Sequence, residues 1–152
     1  MLGNPAVGKT ALIRKYVDNM FDDKYLSTLG ARPTKKKITF GEDNVILMIW
    51  DLAGQSFGLH PAYYSGATGA LLVCDLTRKD TSDSLINWKS ALFAKSGKVP
   101  IIALANKSDL PNHEFKLQDL EGIGFEAMKT SAKTGENVEK AFTQLAERII
   151  HG

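Results

Sequence analysis

Gly3-Asn4-Pro5-Ala6-Val7-Gly8-Lys9-Thr10 satisfies G-x-x-x-x-G-K-[ST] at every fixed position. The residue types answer to one task. Gly3 and Gly8 let the backbone turn so that consecutive N–H groups can face one phosphate. A helix opening at Lys9 adds its positive N-terminal end. Lys9 suits neutralisation of β- and γ-phosphates, and the Thr10 hydroxyl suits ligation of Mg²⁺. A chance match in a chain of this composition arises about once in two hundred. Alone, the motif means a nucleotide held by its phosphates, and ATPases and kinases share it.

Outward from this loop, helices and strands alternate. Leu12, Ile13, Tyr16 and Val17 recur at helical spacing within Thr10 to Val17. Pro33 argues against helix. Thr34 to Phe40, the turn Gly41-Glu42-Asp43-Asn44 and the apolar run Val45 to Trp50 read as a hairpin. Its first strand carries Lys35, Lys36 and Lys37, which suit a solvated sheet edge better than a nucleic-acid or membrane patch. Ala70 to Cys74 and Val99 to Ala105 are nearly unbroken apolar runs, as expected of parallel strands covered on both faces. Leu85, Trp88 and Leu92 mark a helix between them. Val138, Ala141, Phe142, Leu145 and Ile149 mark another at the end. The fold class that follows is α/β with a mostly parallel sheet.

Composition narrows the function. The chain has 152 residues, enough for one domain. Its 43% hydrophobic and 24% charged content is that of an ordinary globular protein. A net charge of +2 does not suggest a nucleic-acid binder working through bulk charge. The single cysteine, Cys74, fits a reducing compartment and reads as buried and inert. His60, His113 and His151 lack metal-ligand spacing. No apolar run reaches membrane-span length, and Ile149-Ile150-His151-Gly152 carries no prenylatable cysteine. A cytoplasmic monomer without a lipid anchor of its own is expected, reaching membranes through partners.

Asn106-Lys107-Ser108-Asp109 directly follows the strand ending at Ala105. In an open α/β sheet the carboxyl ends of strands line the ligand crevice. A carboxylate there can accept two hydrogen bonds from the N1–H and 2-amino group of guanine, a pair adenine cannot supply. A site that would leave such a carboxylate unpaired rejects the wrong base strongly.

With these motifs the chain resembles the Ras-like small GTPases, and among them the Rab-type members. The resemblance runs from Gly3 to the end. It rests on GNPAVGKT, Thr28 in STLG, WDLAGQ at 50–55, PAYYSGATGALLVCDLT at 61–77, NKSD at 106–109 and TSAKTGENV at 130–138. It implies a three-layer P-loop NTPase sandwich, with one antiparallel hairpin strand at the edge of the sheet, binding GTP or GDP with Mg²⁺. Gly3, Asn4, Pro5, Ala6, Val7, Gly8, Lys9, Thr10 and Ala11 would hold the phosphates. Thr10, Thr28 and, through water, Asp51 would hold the metal. Phe21 would pack edgewise on guanine, which Asn106, Lys107 and Asp109 would recognise and Ser131-Ala132-Lys133 would close over. The Gly54 backbone would approach the γ-phosphate, and Gln55 would orient the attacking water, with Lys9 and Thr28 completing the catalytic set. Effector, exchange-factor and activating proteins would dock on residues about 22–34 and 54–64.

Three departures qualify that resemblance. Family members place about six to eight residues of strand ahead of the loop, whereas Met1 and Leu2 alone precede Gly3. Residues 1–152 are therefore expected to form one small-GTPase domain cut short before the loop. The missing strand would be central, between Val45 to Trp50 and Ala70 to Cys74, leaving both without a partner. The second switch is about two residues shorter than usual, with Ser56 where the family has an acid. Leu110 to Lys129 is about one helical turn short, which predicts a reduced helix. Pro5 stands where many relatives carry glycine. The expected function is a molecular switch with slow intrinsic GTP hydrolysis. The alternative is a non-catalytic GTP-binding scaffold; a P-loop kinase fits less well because NKSD specifies guanine. Arg14 and Arg32 are poorly placed to serve the reaction in cis, so an activating partner is expected to supply an arginine.

Overall fold

The computed structural model describes residues 1–22, 31–52 and 63–152. Helix α1 (Lys9–Asp18) begins immediately after Gly8 and buries Leu12, Ile13 and Tyr16. Asn19 ends it in the left-handed conformation, with its N–H on the Lys15 carbonyl at 3.1 Å. Strands β1 (Ala31–Phe40) and β2 (Asp43–Leu52) form the expected hairpin, antiparallel from Ala31↔Leu52 to Phe40↔Asp43. Gly41 supplies the positive φ (57°) that a two-residue loop needs at its first position. Pro33 is accommodated within β1 because β1 is an edge. Lys36 is more than a solubilising edge residue: its ammonium lies 5.2 Å from the centroid of the Tyr16 ring.

Strands β3 (Ala70–Asp75), β4 (Ile101–Asn106) and β5 (Ala127–Lys129) make a parallel sheet in that order. β4 starts two residues later than the apolar run because Pro100 has no N–H to place in a ladder flanked on both sides. β3 extends one residue beyond the run, to Asp75. Helices α2 (Lys79–Asp83), α3 (Leu85–Ser96), α4 (Leu117–Gly122) and α5 (Val138–His151) complete the chain. α4 has six residues, the reduced helix expected from the short connection.

Strand periodicity divides the core in two. Leu72, Cys74, Ala103 and Ala105 face Leu85, Trp88 and Leu92 of α3 and Leu120 of α4. Leu71, Val73, Ile102 and Leu104 face Leu12, Ile13 and Tyr16 of α1 and the stripe Val138, Ala141, Phe142 and Leu145 of α5. This is the three-layer α/β sandwich. Tyr16 and Phe142 stack with ring centroids 4.1 Å apart, joining α1 to α5; such pairs contribute about 0.5–1.5 kcal/mol beyond area burial. Cys74 is fully buried and its thiol is pushed up to about 12 by desolvation, so it is chemically quiet.

The sheet comes in two sections, β1-β2 and β3-β4-β5, with β2 and β3 not paired to each other. Among the described residues, Met1 and Leu2 stand between them. Leu2 forms a parallel bridge to Leu72, donating its N–H to Leu71 O at 3.0 Å and accepting from Val73 N–H at 2.7 Å. The Met1 ammonium donates to Trp50 O at 3.0 Å. Beyond this bridge lies a cleft of about 450 Å³, lined by β2, Leu71, Leu92, Leu145 and Ile149. Six residues of alternating Val, Ile and Leu added ahead of Met1, led by a lysine, should pair with β2 and β3 and raise the thermal midpoint by at least about 5 °C. An added segment with proline at alternate positions should leave the midpoint unchanged. Equal midpoints for the two extended chains would show that the cleft does not accept a strand.

Candidate functional site

The loop between Leu2 and α1 is held by its carbonyls. Lys9 Nζ donates to Gly3 O at 2.8 Å and Asn4 O at 2.9 Å. Arg78 Nη2 donates to Pro5 O at 3.0 Å, Lys107 Nζ to Ala6 O at 2.8 Å, and Asn106 Nδ2 to Val7 O at 2.9 Å. Gly8 O accepts the Leu12 N–H at 2.9 Å as the first helical bond. A trans peptide points its C=O and the next N–H in opposite directions. Fixing the carbonyls of residues 3 to 8 outward therefore turns the following N–H groups toward the other side of the loop, the arrangement that receives an anion.

Packing also dictates both glycines. A Cβ on Gly3 would lie 2.2 Å from Val73 O, and one on Gly8 would lie 2.3 Å from Asn106 Nδ2. Their φ values of 151° and 103° independently disfavour any side chain. Asn4 ties the loop to α3: its Nδ2 donates to Ser84 Oγ at 3.0 Å and its Oδ1 accepts from Trp88 Nε1 at 2.9 Å. Lys9 is only 6% exposed, and burial lowers its ammonium to about 8, against the opposing attraction of Asp51.

Asn106 ends β4, and the chain then turns through Lys107 in the left-handed conformation (φ 64°). Asp109 accepts from Ser131 Oγ at 2.7 Å, Ser108 N–H donates to Thr130 O at 3.1 Å, and Thr130 Oγ1 donates to Asn106 Oδ1 at 3.1 Å. The NKSD and TSAK segments, remote in sequence, thus form one hydrogen-bonded wall beside the loop. Ser131 and Ala132 are buried and Lys133 is exposed. Asn106 and Lys107 bind loop carbonyls, a task that spacing alone does not reveal. Phe21 lies beyond α1, 39% exposed, and takes no part in this hydrogen-bonded frame.

Asp51, at the end of β2, is 2% exposed and accepts from Thr10 Oγ1 at 2.5 Å. A hydroxyl and a carboxylate are hard oxygen donors of the kind Mg²⁺ takes, and it holds such sites with few protein ligands plus substrate phosphates. Among the described residues, no group of three or more His, Cys, Asp and Glu could hold a metal on its own. The expected Thr28, Gly54 and Gln55 fall outside the described residues, as does most of 22–34 and 54–64. His113 and His151 are exposed; His60 falls outside the described residues.

Sequence reasoning missed Asp75 and Arg78. Asp75 sits at the carboxyl end of β3, paired with Asn106 in the β3–β4 register. Ending that strand at Cys74 hid it, although a carboxylate at a strand's carboxyl end is a usable signal. Arg78, rather than Arg14 or Arg32, donates to the loop, at Pro5 O.

Comparison with known proteins agrees with this geometry. The sequence model of the Ras family matches residues 1–151. The chain is 36% identical to the human Ras-related protein Rab-21 over 158 aligned residues, covering 99% of this chain and 70% of that protein. It is 38% identical to human Ras-related protein Rab-4A, covering 99% and 73%, and 37% identical to Rab-21 of Geodia cydonium, covering 99% and 69%.

Asn106→Ala removes the side chain that donates to Val7 O and the acceptor of Thr130 Oγ1. Two buried polar groups then lose partners, which should cost about 1–3 kcal/mol in denaturant unfolding. Lys133→Ala, on an exposed side chain, should stay within about 0.5 kcal/mol. Equal stabilities of the two variants would remove Asn106 from the loop's support.

Proposed function

Because the chain belongs to the Ras family, we propose that it is a GTP-binding switch that hydrolyses GTP slowly to GDP and phosphate. Membership gives the general character of a small GTPase; the slow rate, the residue roles and the partners are our inference. The observation that carries it is the single hydrogen-bonded unit in which Asn106 and Lys107 of NKSD hold the phosphate loop. Base recognition and phosphate binding then occur on one rigid frame. Asp109 would accept from N1–H and the 2-amino group of guanine, oriented by its bond from Ser131. Lys107 and Lys133 would flank the base, with Phe21 at its edge.

Water would attack the γ-phosphate in line. Lys9, whose ammonium lies on the Gly3 and Asn4 carbonyls, would offset the charge that develops on the phosphate oxygens. Thr10 and Thr28 would hold Mg²⁺, with Asp51 behind them through water, and the metal would supply positive charge to offset that of the phosphates. Gln55 would orient the water, and an arginine supplied in trans would be worth about 10³–10⁵ in rate. Loss of the γ-phosphate would release the Thr28 and Gly54 segments, changing the surface offered to effectors. We place the protein in the cytoplasm as a monomer, meeting membranes through partners.

Base choice tests the frame. Asp109→Asn should weaken GTP binding and favour xanthosine triphosphate, whose 2-oxo group suits an amide; an unchanged GTP preference in competition binding excludes Asp109 as the base reader. Single-turnover hydrolysis tests the switch. GTP should be consumed over minutes to hours, and Gln55→Leu should slow it at least about tenfold. A chain that binds GTP yet shows neither behaviour is a scaffold, which the shortened second switch with Ser56 would suit. Thr10→Asn should lower affinity for GTP more than for GDP, since GTP depends more on the metal; equal losses for both remove Thr10 from the metal site.

A further inference from the structure

Behind the phosphate loop lies a carboxylate, within the 61–77 motif, to which the sequence reading assigns no role. Asp75 is 1% exposed. Its Oδ1 accepts from the Thr77 N–H at 2.8 Å and the Thr77 hydroxyl at 2.7 Å. Its Oδ2 accepts from Arg78 Nε at 3.1 Å and Lys107 Nζ at 2.9 Å. Its own N–H donates to the buried Thr81 Oγ1 at 2.8 Å. Burial alone would raise this carboxyl, yet the Thr77 and Lys107 donors hold it below the usual carboxylate range.

Both cations on Asp75 have a second acceptor. Arg78 continues to Pro5 O and Lys107 to Ala6 O, two consecutive carbonyls at the crown of the loop. Each cation therefore bridges a fixed buried anion to a carbonyl that must stay turned outward. Without the carboxylate, two long, rotamer-rich side chains would have to be held by one carbonyl each, at a greater entropic cost. Two cations beside a site for an anion would also be drawn toward that anion instead of holding the loop's back. Asp75 opposes this by offering the nearer charge in a poorly solvated setting, where Coulomb interactions are strong.

We propose that Asp75 is a positioning residue that pre-sets the phosphate loop for a nucleoside di- or triphosphate by anchoring Arg78 and Lys107 on the Pro5 and Ala6 carbonyls. The proposal rests on the reading above that this loop holds the phosphates of a guanine nucleotide. It makes Asp75 a link between the base segment and the phosphate segment, because Lys107 belongs to the first and Ala6 to the second. Asp75 itself does not touch the phosphates.

The test is the release rate of a fluorescent GDP from the full chain. Asp75→Asn keeps the volume and one acceptor while removing the charge, and should speed release about tenfold. Arg78→Ala, which leaves the Lys107 bridge, should speed it at least about threefold, and the double variant should be no faster than Asp75→Asn, since the Arg78 bridge is already lost with the carboxylate. Release from Asp75→Asn within about twofold of the parent, or single effects that multiply in the double variant, would overturn the proposal. A merely structural role would lower the thermal midpoint of the GDP-saturated protein without this non-additivity in release. If Asp75→Asn does not fold, Arg78→Ala decides alone: its guanidinium is partly exposed, and a change of twofold or less overturns the link. Failure of the parent chain to bind GDP would instead overturn the nucleotide reading, leaving the two failures distinct.

Discussion

Outward fixation of six consecutive carbonyls, Gly3 to Gly8, is the constraint on which the rest of the structure depends. A buried backbone carbonyl needs a partner, and in this loop only Gly8 O finds one in a ladder, the first turn of α1. Partners must come from elsewhere, and they do: Lys9 from the loop's own helix, Arg78 from the segment after β3, Asn106 and Lys107 from the end of β4. The β3–β4 register that sets Asp75 beside Asn106 is therefore part of the site's construction as well as the core's. The two glycines follow from the same crowding, since a side chain at either would strike a β3 carbonyl or the Asn106 amide.

This arrangement explains why the parallel section of the sheet is the better-packed half. β3 and β4 are buried nearly throughout and sandwiched between α3 and α4 on one side and α1 and α5 on the other. They carry the residues that hold the loop. The β1-β2 hairpin carries Asp51 but joins the rest across a cleft bridged by Met1 and Leu2. Its outward residues Ile46, Met48 and Trp50 are 68%, 47% and 42% exposed. Burial in that slot, together with the neighbouring Lys9 charge, lowers the Met1 ammonium to about 6, against the attraction of Asp51. Asp51 thus sits on the less firmly seated section, and the NKSD groups on the firmer one.

Much of this was legible in the sequence for definable reasons. Motifs whose chemistry depends on local order, GNPAVGKT and NKSD, give their place directly, because each is a loop leaving one strand or entering one helix. Apolar runs in β3 and β4 announce strands covered on both faces, and the 3.6-residue stripe of α5 announces its inward side. What stayed hidden depends on side chains meeting across long separations. Asn106 reaching Val7, 99 residues away, has no local trace, and neither has Asp75 gathering Arg78 and Lys107. Asp75 was further masked because the apolar run was closed at Cys74, one residue before the strand ends.

The bond from Trp88 to Asn4 gives the molecule an optical property. Of its two tryptophans, Trp50 is 42% exposed while Trp88 is 1% exposed with its indole N–H on a loop side chain. The buried ring emits at shorter wavelength than the solvated one, so the two separate spectrally. A shift of the loop that lengthens this bond alters the polarity felt by Trp88 alone. The chain therefore carries an intrinsic fluorophore wired to its phosphate loop, and loop motion can be followed in the unlabelled protein by the blue side of its emission.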